Sequence, residues 1–379
     1  MSTVDLPHYD SAGPQSDLGQ FIGKGVTFQQ LAPASRRIPP PPRFLLGPVS
    51  GEVLAHFFRL GNLLPVGVYR AANIDIFDEC LLSRDGILLR VAPLSLYPHF
   101  IVREYSALKA LTWPRPRRML SGTHVLLASV GSGVYGHWLV DFLPKLALLR
   151  AAGHDIDRMR FLLPTTARPF ARALIGLLGF GAEQIVEFDP HAGVLTVEDL
   201  LIPTTMNDGV QVSPFMRDAA EILTTRLTAR HGPLVTGTTP PRIFLSRGGI
   251  KQSRGLANRA RIEAMAAEAG FAVIAPETLP LLDQIRLFAG ARVIAGEYGS
   301  ALHGSLFSPA GTVVCGLRGD ALHPHFIQSG IGNALEQPTG YIHGPIISAS
   351  PTNPLHYSFE IREADFAQAL ATVLAGTAF

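Results

Sequence analysis

Residues 123–150 read THVLLASVGSGVYGHWLVDFLPKLALLR: an apolar run, three glycines at Gly131, Gly133 and Gly136, then apolar residues at helical spacing. Strand, glycine turn and helix in that order form the opening unit of a parallel α/β fold. The glycines also spell G-x-G-x-x-G, the spacing with which a dinucleotide-binding turn lets a pyrophosphate approach a helix start. A dinucleotide site further requires an acidic residue at the end of the next strand, roughly 20 residues on, to hold the ribose hydroxyls. Here the next strand, MRFLLP, ends in Pro164, Thr165 and Thr166, while Asp155 and Asp157 precede it. The helix also opens with His137 and Trp138, bulky groups where a pyrophosphate needs small ones. A dinucleotide-dependent oxidoreductase using the Gly131–Gly136 loop therefore stands as an alternative behind other readings.

The same stretch spaces His137 and Asp141 four residues apart, on one face of a helix. A carboxylate one turn from an imidazole fixes its tautomer and stabilises the imidazolium, which makes the pair a candidate general base. A histidine capping a loop beside an aspartate bonded to nearby backbone would give the same spacing with no chemistry. Spacing alone favours that structural role.

Working outward, 379 residues exceed the usual size of one core, so two domains are expected. With 47% hydrophobic and 16% charged residues the chain is globular, and 37 Gly with 30 Pro make it rich in loops. Residues 1–45 read as an irregular, proline-rich arm. Residues 46–235 read as a β-meander, signalled by the turn Arg84-Asp85-Gly86, followed by a Rossmann-like region of alternating strands and helices. The segment Pro233–Pro241 reads as a linker, and residues 236–345 as a second parallel α/β domain. Residues 346–379 form a tail whose last helix puts Phe366, Leu370, Val373 and Leu374 on one face, expected to pack back on the first domain.

A formal charge of +2 excludes a nucleic-acid protein of the basic type. Two basic clusters stand out, SRRIPPPPR with Arg36, Arg37 and Arg43, and RPRR with Arg115, Arg117 and Arg118. They read as solvated loop charges or, more sharply, as contacts for an anionic membrane surface or a charged acceptor. Two cysteines, Cys80 and Cys315, cannot build a disulfide framework or a cysteine zinc site. The polar N-terminus lacks a leader pattern, and no apolar run reaches the ~18 residues of a spanning helix. A cytoplasmic protein, at most peripheral to a membrane, is expected.

In the second half, FLSR sets Ser246 and Arg247 at the C-terminal end of a strand, the edge where ligands bind in open α/β sheets. EYGSALHG sets Glu297 and Tyr298 at another strand end, with Gly299, Ser300 and Ala301 opening a helix. Amides at a helix start, small residues and a nearby guanidinium are what a diphosphate requires. Glu277, ending FAVIAPE, is a third strand-end group suited to ribose hydroxyls. Asp155-Ile156-Asp157 matches D-x-D but precedes a strand, and His323-Pro324-His325 lacks a third ligand, so no metal is assigned. The G-x-S-x-G elbow of serine hydrolases is absent from the sequence.

GVYGHWLVDFLPKL, RIFLSR and GFAVIAPETLPLLDQIRLFAGARVIAGEYGSALHGSLFSPAGTVV together resemble glycosyltransferase family 61, over roughly Tyr69–Leu317. The resemblance implies an inverting, metal-independent transferase of α/β GT-B architecture, two Rossmann-like domains facing a cleft, in a bacterial polysaccharide branch. It implies no cofactor, only a nucleotide-sugar co-substrate carrying one or two phosphates, held by the second domain. It implies a glycan or lipid-linked glycan acceptor held by the first domain; the cytoplasmic protein expected above would then be at most peripheral to the inner membrane. His137 and Asp141 match the family's H-x-x-x-D pair, with Tyr135, Gly136 and Trp138 on the acceptor side. Arg247 and the Gly299-Ser300-Ala301 loop would hold the donor diphosphate and Glu277 the nucleoside, with Ser246, Tyr298 and His303 also on the donor side. The family's usual H-G-A-G-L reads Tyr298-Gly299-Ser300-Ala301-Leu302 here, and its N-E reads Asn258-Arg259. A non-catalytic nucleotide- or glycan-binding protein is a second alternative. Donor sugar, acceptor and oligomeric state are not readable from the chain.

Overall fold

The computed structural model describes residues 2–9, 18–77, 81–89, 105–128, 131–235, 237, 239–249, 254–322, 325–351 and 356–375. The chain is a mixed α/β protein of two compact units, one of Met1–Ala34 and Leu64–Met206, the other of Ser35–Leu63 and Asn207–Phe379.

The first unit is built on a nine-stranded sheet. The meander is present: Val66–Phe77 pairs antiparallel with Leu81–Arg84, which pairs antiparallel with Ile87–Leu89. Asp85 and Gly86 join the last two strands at φ 51° and 75°, the twin positive angles that an Asp-Gly hairpin turn supplies. On its other edge Val66–Phe77 pairs antiparallel with Val194–Pro203, and from there Arg115–Leu126, Phe161–Pro164 and Ile185–Phe188 follow in parallel. The expected Rossmann-like region is thus the parallel end of a larger mixed sheet. Ile74, Leu126, Leu162, Val197 and Leu200 form its buried core.

Two expectations about this unit fail for identifiable reasons. The N-terminal arm is not irregular throughout, because Thr3–Val4 pairs with Arg115–Leu126 and Val26–Ala32 pairs with Val66–Phe77. The RPRR cluster is not a loop but the start of a strand. Arg115 is buried and donates through Nη2 to the His191 carbonyl at 2.5 Å, while Arg117 lies 3.7 Å from Asp75.

The second unit carries a six-stranded, fully parallel sheet ordered Ala272–Ile274, Arg242–Leu245, Val293–Glu297, Val313–Gly319, Thr339–Gly344, Leu45–Leu46. Numbered along the chain from Arg242, the first five run 2-1-3-4-5, the flavodoxin-like doubly wound order. A small separate sheet joins Arg254–Leu256, Tyr357–Phe359 and Ile346–Ala349.

The units divide the chain elsewhere than the composition suggested. The helix Phe215–His231, read as part of the first domain, groups with the second unit, where it packs against Ile327–Leu335 and buries Met216, Ala219, Leu223 and Leu227. The final helix, Glu363–Leu374, does not return to the first domain. Its Phe366, Ala369, Leu370 and Val373 complete the second unit's own core beside Phe244, Leu317 and Ile342. An amphipathic helix buries its apolar face on the nearest uncovered apolar surface, and this sheet face supplied one. Cys315 lies in that core, its thiol pushed up to about 12 by burial; Cys80 lies outside the described residues.

One buried group sets an acid limit on this unit. His343 is fully buried, and neither ring nitrogen has a hydrogen-bond partner among the described residues. Asp320 stands 3.8 Å away, but its carboxylate accepts from the Ser50 amide and hydroxyl. Burial, with Arg318 nearby, lowers the imidazole to about 3. Between its ordinary value and that one the unfolded chain binds a proton that the fold does not. Stability therefore falls as pH drops below about 6.5, by roughly 3–5 kcal/mol once the solution is near pH 3. His343→Leu should lower the pH midpoint of acid unfolding followed by circular dichroism; an unchanged midpoint would refute this role.

Candidate active site

In the first unit the described part of the apolar run ends at Ala128, three positions before Gly131 of the glycine turn. Val134 donates its amide to the Gly131 carbonyl at 2.8 Å, which closes the turn, and Gly131 adopts φ 95°. A Cβ at Gly131 would meet His137 Cδ2 at 2.9 Å and Nε2 at 3.2 Å. The glycine is required twice, for its backbone angle and because the imidazole lies against it. The feature that resembles a pyrophosphate cradle is occupied by a side chain of the same turn.

The helix after the turn is not continuous. A short turn, Tyr135–His137, leads into a widened π turn, Trp138–Phe142, in which Leu143 donates to the Trp138 carbonyl at 3.0 Å, and Lys145–Ala151 follows as α-helix. Pro144 is the cause: it has no N–H to donate, and its ring would strike the Val140 carbonyl in a regular helix. Widened turns of this kind recur at functional sites.

Within that turn His137 Nδ1 and Asp141 Oδ2 are 2.5 Å apart. The aspartate is 4% exposed and the histidine 38%, so the carboxylate stands behind the ring and the ring faces outward. Burial by itself lowers the imidazole, but the hydrogen bond and negative charge of Asp141 outweigh it, and the net shift is upward. A proton donated from Nδ1 to the carboxylate leaves Nε2 as the basic atom.

The flanking residues divide. Trp138, expected on the acceptor side, is fully buried and donates through Nε1 to the Ser132 carbonyl at 2.8 Å, so it anchors the glycine turn from inside. Gly136 is buried as well. Tyr135 is half-buried, edge-on to Phe170 at 5.6 Å, and burial raises its phenol. Lys145, fully buried, donates to the Leu127 carbonyl at 2.9 Å and ties the helix to the strand before the loop.

In the second unit, Arg242–Leu245 has the chain-order second strand on one side and the third on the other. That reversal is the point of a doubly wound sheet where a crevice opens beyond the strand ends. Ser246 and Arg247 follow the first of these strands, Tyr298 and Gly299 follow the third. The sequence-predicted residues therefore meet there. Arg247 Nη1 donates weakly to the Tyr298 carbonyl at 3.5 Å, and a Cβ at Gly299 would lie 2.0 Å from that Nη1. Ser246 is buried, and its hydroxyl accepts from the Gly248 amide at 3.0 Å, shaping the loop. Glu277 is exposed in the turn Pro276–Thr278, its Oε1 placed 2.6 Å from where a Gly249 Cβ would be.

Gly299 caps the short helix expected here, which is a 3₁₀ helix, Ser300–Phe307; Ser300 and Ala301 are half-buried at its start. Two residues expected to touch a donor turn inward. Tyr298 is buried, donates to the His325 carbonyl at 2.6 Å and lies under the Arg318 guanidinium at 4.9 Å. His303 is buried with Nδ1 3.0 Å from Gln328 Oε1, in a chain that continues to Ser305. Tyr298 precedes that helix, its amide still donating to the Leu317 carbonyl at 2.7 Å as a continuation of the strand, and His303 lies within the helix; internal partners hold both.

Sequence reasoning missed three groups. Arg254, Arg318 and Tyr357 line a narrow pocket with Arg247, Tyr298 and Glu297, of about 10 Å³, room for roughly one water. Arg254 and Tyr357 are register partners in the small sheet. Glu297 is taken by Arg259, at 2.6 Å, and accepts the Leu256 amide at 3.2 Å, which locks the small sheet to the large one. Burial lowers Arg247, with Arg254 adding repulsion, and burial likewise lowers Arg254 and Arg318. Crowded, desolvated guanidiniums at a strand edge gain most from an anion at the pocket mouth. The alternating Tyr357, Phe359 and Ile361 were the available signal for this sheet.

Among the described residues no group of three or more His, Cys, Asp or Glu is placed to hold a metal ion. Asp155 of D-x-D caps a short turn by accepting the Asp157 amide at 3.1 Å. His323 and Pro324 lie outside the described residues.

Residues 135–315 match the family model described as Glycosyltransferase 61. No curated protein matches the chain. The match begins at Tyr135, two residues before His137, takes in Arg247 and Gly299, and ends in the strand that carries Cys315. The match supports glycosyltransferase family 61, and its segment spans the His137–Asp141 pair and the Arg247–Gly299 strand edge.

Proposed function

We propose that this glycosyltransferase moves a sugar from a nucleotide-sugar donor to a hydroxyl of a glycan or lipid-linked glycan, with inversion at the anomeric carbon, in bacterial surface polysaccharide synthesis. In this reading the second unit binds the donor and the first the acceptor, as in a GT-B enzyme. The His137–Asp141 contact of 2.5 Å inside the family segment carries the proposal. The acceptor hydroxyl loses its proton to His137 Nε2 as its oxygen attacks the anomeric carbon. The bond from that carbon to the phosphate oxygen breaks, and the nucleotide leaves with the electron pair. Asp141 stabilises the imidazolium that results.

Arg247 and the amides at the start of Ser300–Phe307 would stabilise the charge developing on the leaving phosphate. Arg254 and Arg318 reinforce that field from behind, and Glu277 would meet the nucleoside. Guanidiniums supplying the positive charge support a transfer that needs no metal. An oxidoreductase reading loses support, since the glycine loop already packs against His137.

The test is a nucleotide-release assay over a panel of nucleotide sugars, with and without glycan acceptors. Acceptor-dependent release is expected for one donor class. A protein that binds nucleotide sugars yet never turns them over would instead be a binding protein on this fold.

A further inference from the structure

The segment Ser35–Leu63 of the second unit presents apolar side chains that no core requires. Ser35 and Leu63 exchange backbone hydrogen bonds at 2.9 and 3.0 Å, and the Gly61 amide donates to the Arg37 carbonyl at 3.0 Å. This antiparallel pairing sets Ile38 across from Leu60. The helix Gly51–Phe57 feeds into it, held at its start by the Ser50 hydroxyl accepting the Val53 amide at 3.4 Å. That helix buries Val53, His56 and Phe57. Leu54 and Phe58, four residues apart on its other side, are 38% and 61% exposed, and Ile38 and Leu60 are 54% and 46% exposed.

Arg36, Arg37 and Arg59, all exposed, stand next to or within two residues of Ile38, Phe58 and Leu60 along the chain. The acids nearby are Glu52 at the helix start, Asp320, which accepts from the Ser50 amide and hydroxyl, and Asp208, whose carboxylate accepts the Asn62 amide at 2.7 Å. The exposed apolar area is at most a few hundred Å², short of the roughly 800 Å² per partner of a stable protein interface. Protruding apolar side chains with a cationic rim suit the boundary between lipid headgroups and acyl chains, where each contributes separately.

We propose that this patch docks the second unit on an anionic lipid surface, with Phe58, Leu60 and Ile38 entering the headgroup layer and Arg36, Arg37 and Arg59 pairing with phosphates. The proposal does not depend on the donor site or the His137 chemistry. It does give a reason for a lipid-linked acceptor to be reached at a membrane.

The experiment is co-sedimentation of the full chain with phosphatidylcholine vesicles, with and without phosphatidylglycerol. Binding is expected only to the anionic vesicles, and added salt should weaken it. Replacing Arg36, Arg37 and Arg59 together by Ala should reduce partitioning about 100-fold, each arginine near a charged surface being worth roughly a factor of five. Phe58→Ser with Leu60→Ser should also release the protein, with thermal stability and nucleotide-sugar binding unchanged because these side chains are exposed. A wild-type protein that stays in solution with anionic vesicles overturns the proposal. So does vesicle binding that survives both sets of substitutions, or a loss of self-association in their place, which would assign the patch to a second copy of the chain.

Discussion

His137→Ala lowers kcat by about 10²–10⁴-fold, the usual contribution of a positioned general base, and leaves donor affinity within a small factor of wild type. The separation is expected because His137 belongs to the first unit and Arg247 with Gly299 to the second. Asp141→Asn has a different signature. The amide nearly preserves shape but removes the charge that raises the imidazole, so the base weakens. Protonated His137 cannot accept a proton, and kcat/KM should therefore fall on the acid side with a midpoint above that of an ordinary histidine. In Asp141→Asn that midpoint moves down while the plateau also drops. Gly131→Ala tests position alone, since its Cβ would sit 2.9 Å from the ring at a backbone angle of 95°. It should lower kcat without altering the pH midpoint. Full turnover in both His137→Ala and Asp141→Asn would remove the pair from the mechanism.

The alternation of strand and helix from Thr123 onward was legible because parallel units write themselves as short apolar runs separated by amphipathic helices. The second unit's sheet is parallel as those runs imply, but its order, and its sixth strand Leu45–Leu46, were not in them. Long-range pairing was not legible. Thr3–Val4 and Val26–Ala32 take their places from strands far along the chain, and nothing local marks such a partner. Helix destinations were equally hidden: amphipathicity says that Glu363–Leu374 buries a face, not which sheet receives it. At the site, spacing set His137 beside Asp141 and strand ends set Arg247 near Gly299, and the structure has the same proximities. Side-chain direction was not legible: Trp138 lies in a π turn, His303 in a 3₁₀ helix and Tyr298 at a strand end, and all three are buried. Pro144 could have flagged the first departure. The 3₁₀ form of Ser300–Phe307 left no comparable mark.

Arg247→Ala should cost donor binding and turnover together, by about 10²–10³-fold in kcat/KM, the range for losing one preorganised partner of a developing charge. Truncation alone cannot show whether the guanidinium acts through its charge or through its place, and the glycines beside it can. A methyl at Gly299 would overlap Arg247 Nη1 at 2.0 Å, but the obstructed atom ends a long, flexible side chain. Gly299→Ala should therefore leave thermal stability almost unchanged while displacing the guanidinium and weakening donor binding by a large part of the Arg247→Ala effect. Gly296 supplies the contrast. Its Cβ would meet the Leu245 carbonyl oxygen at 2.5 Å, backbone that cannot step aside, and its φ of 154° disfavours other residues. Gly296→Ala should lower the melting temperature by forcing apart the two strands whose ends form the crevice. Donor affinity that tracks the Arg247 position and not global stability across these three variants is the expected result. If Gly299→Ala binds nucleotide sugars as wild type does, Arg247 does not hold the donor.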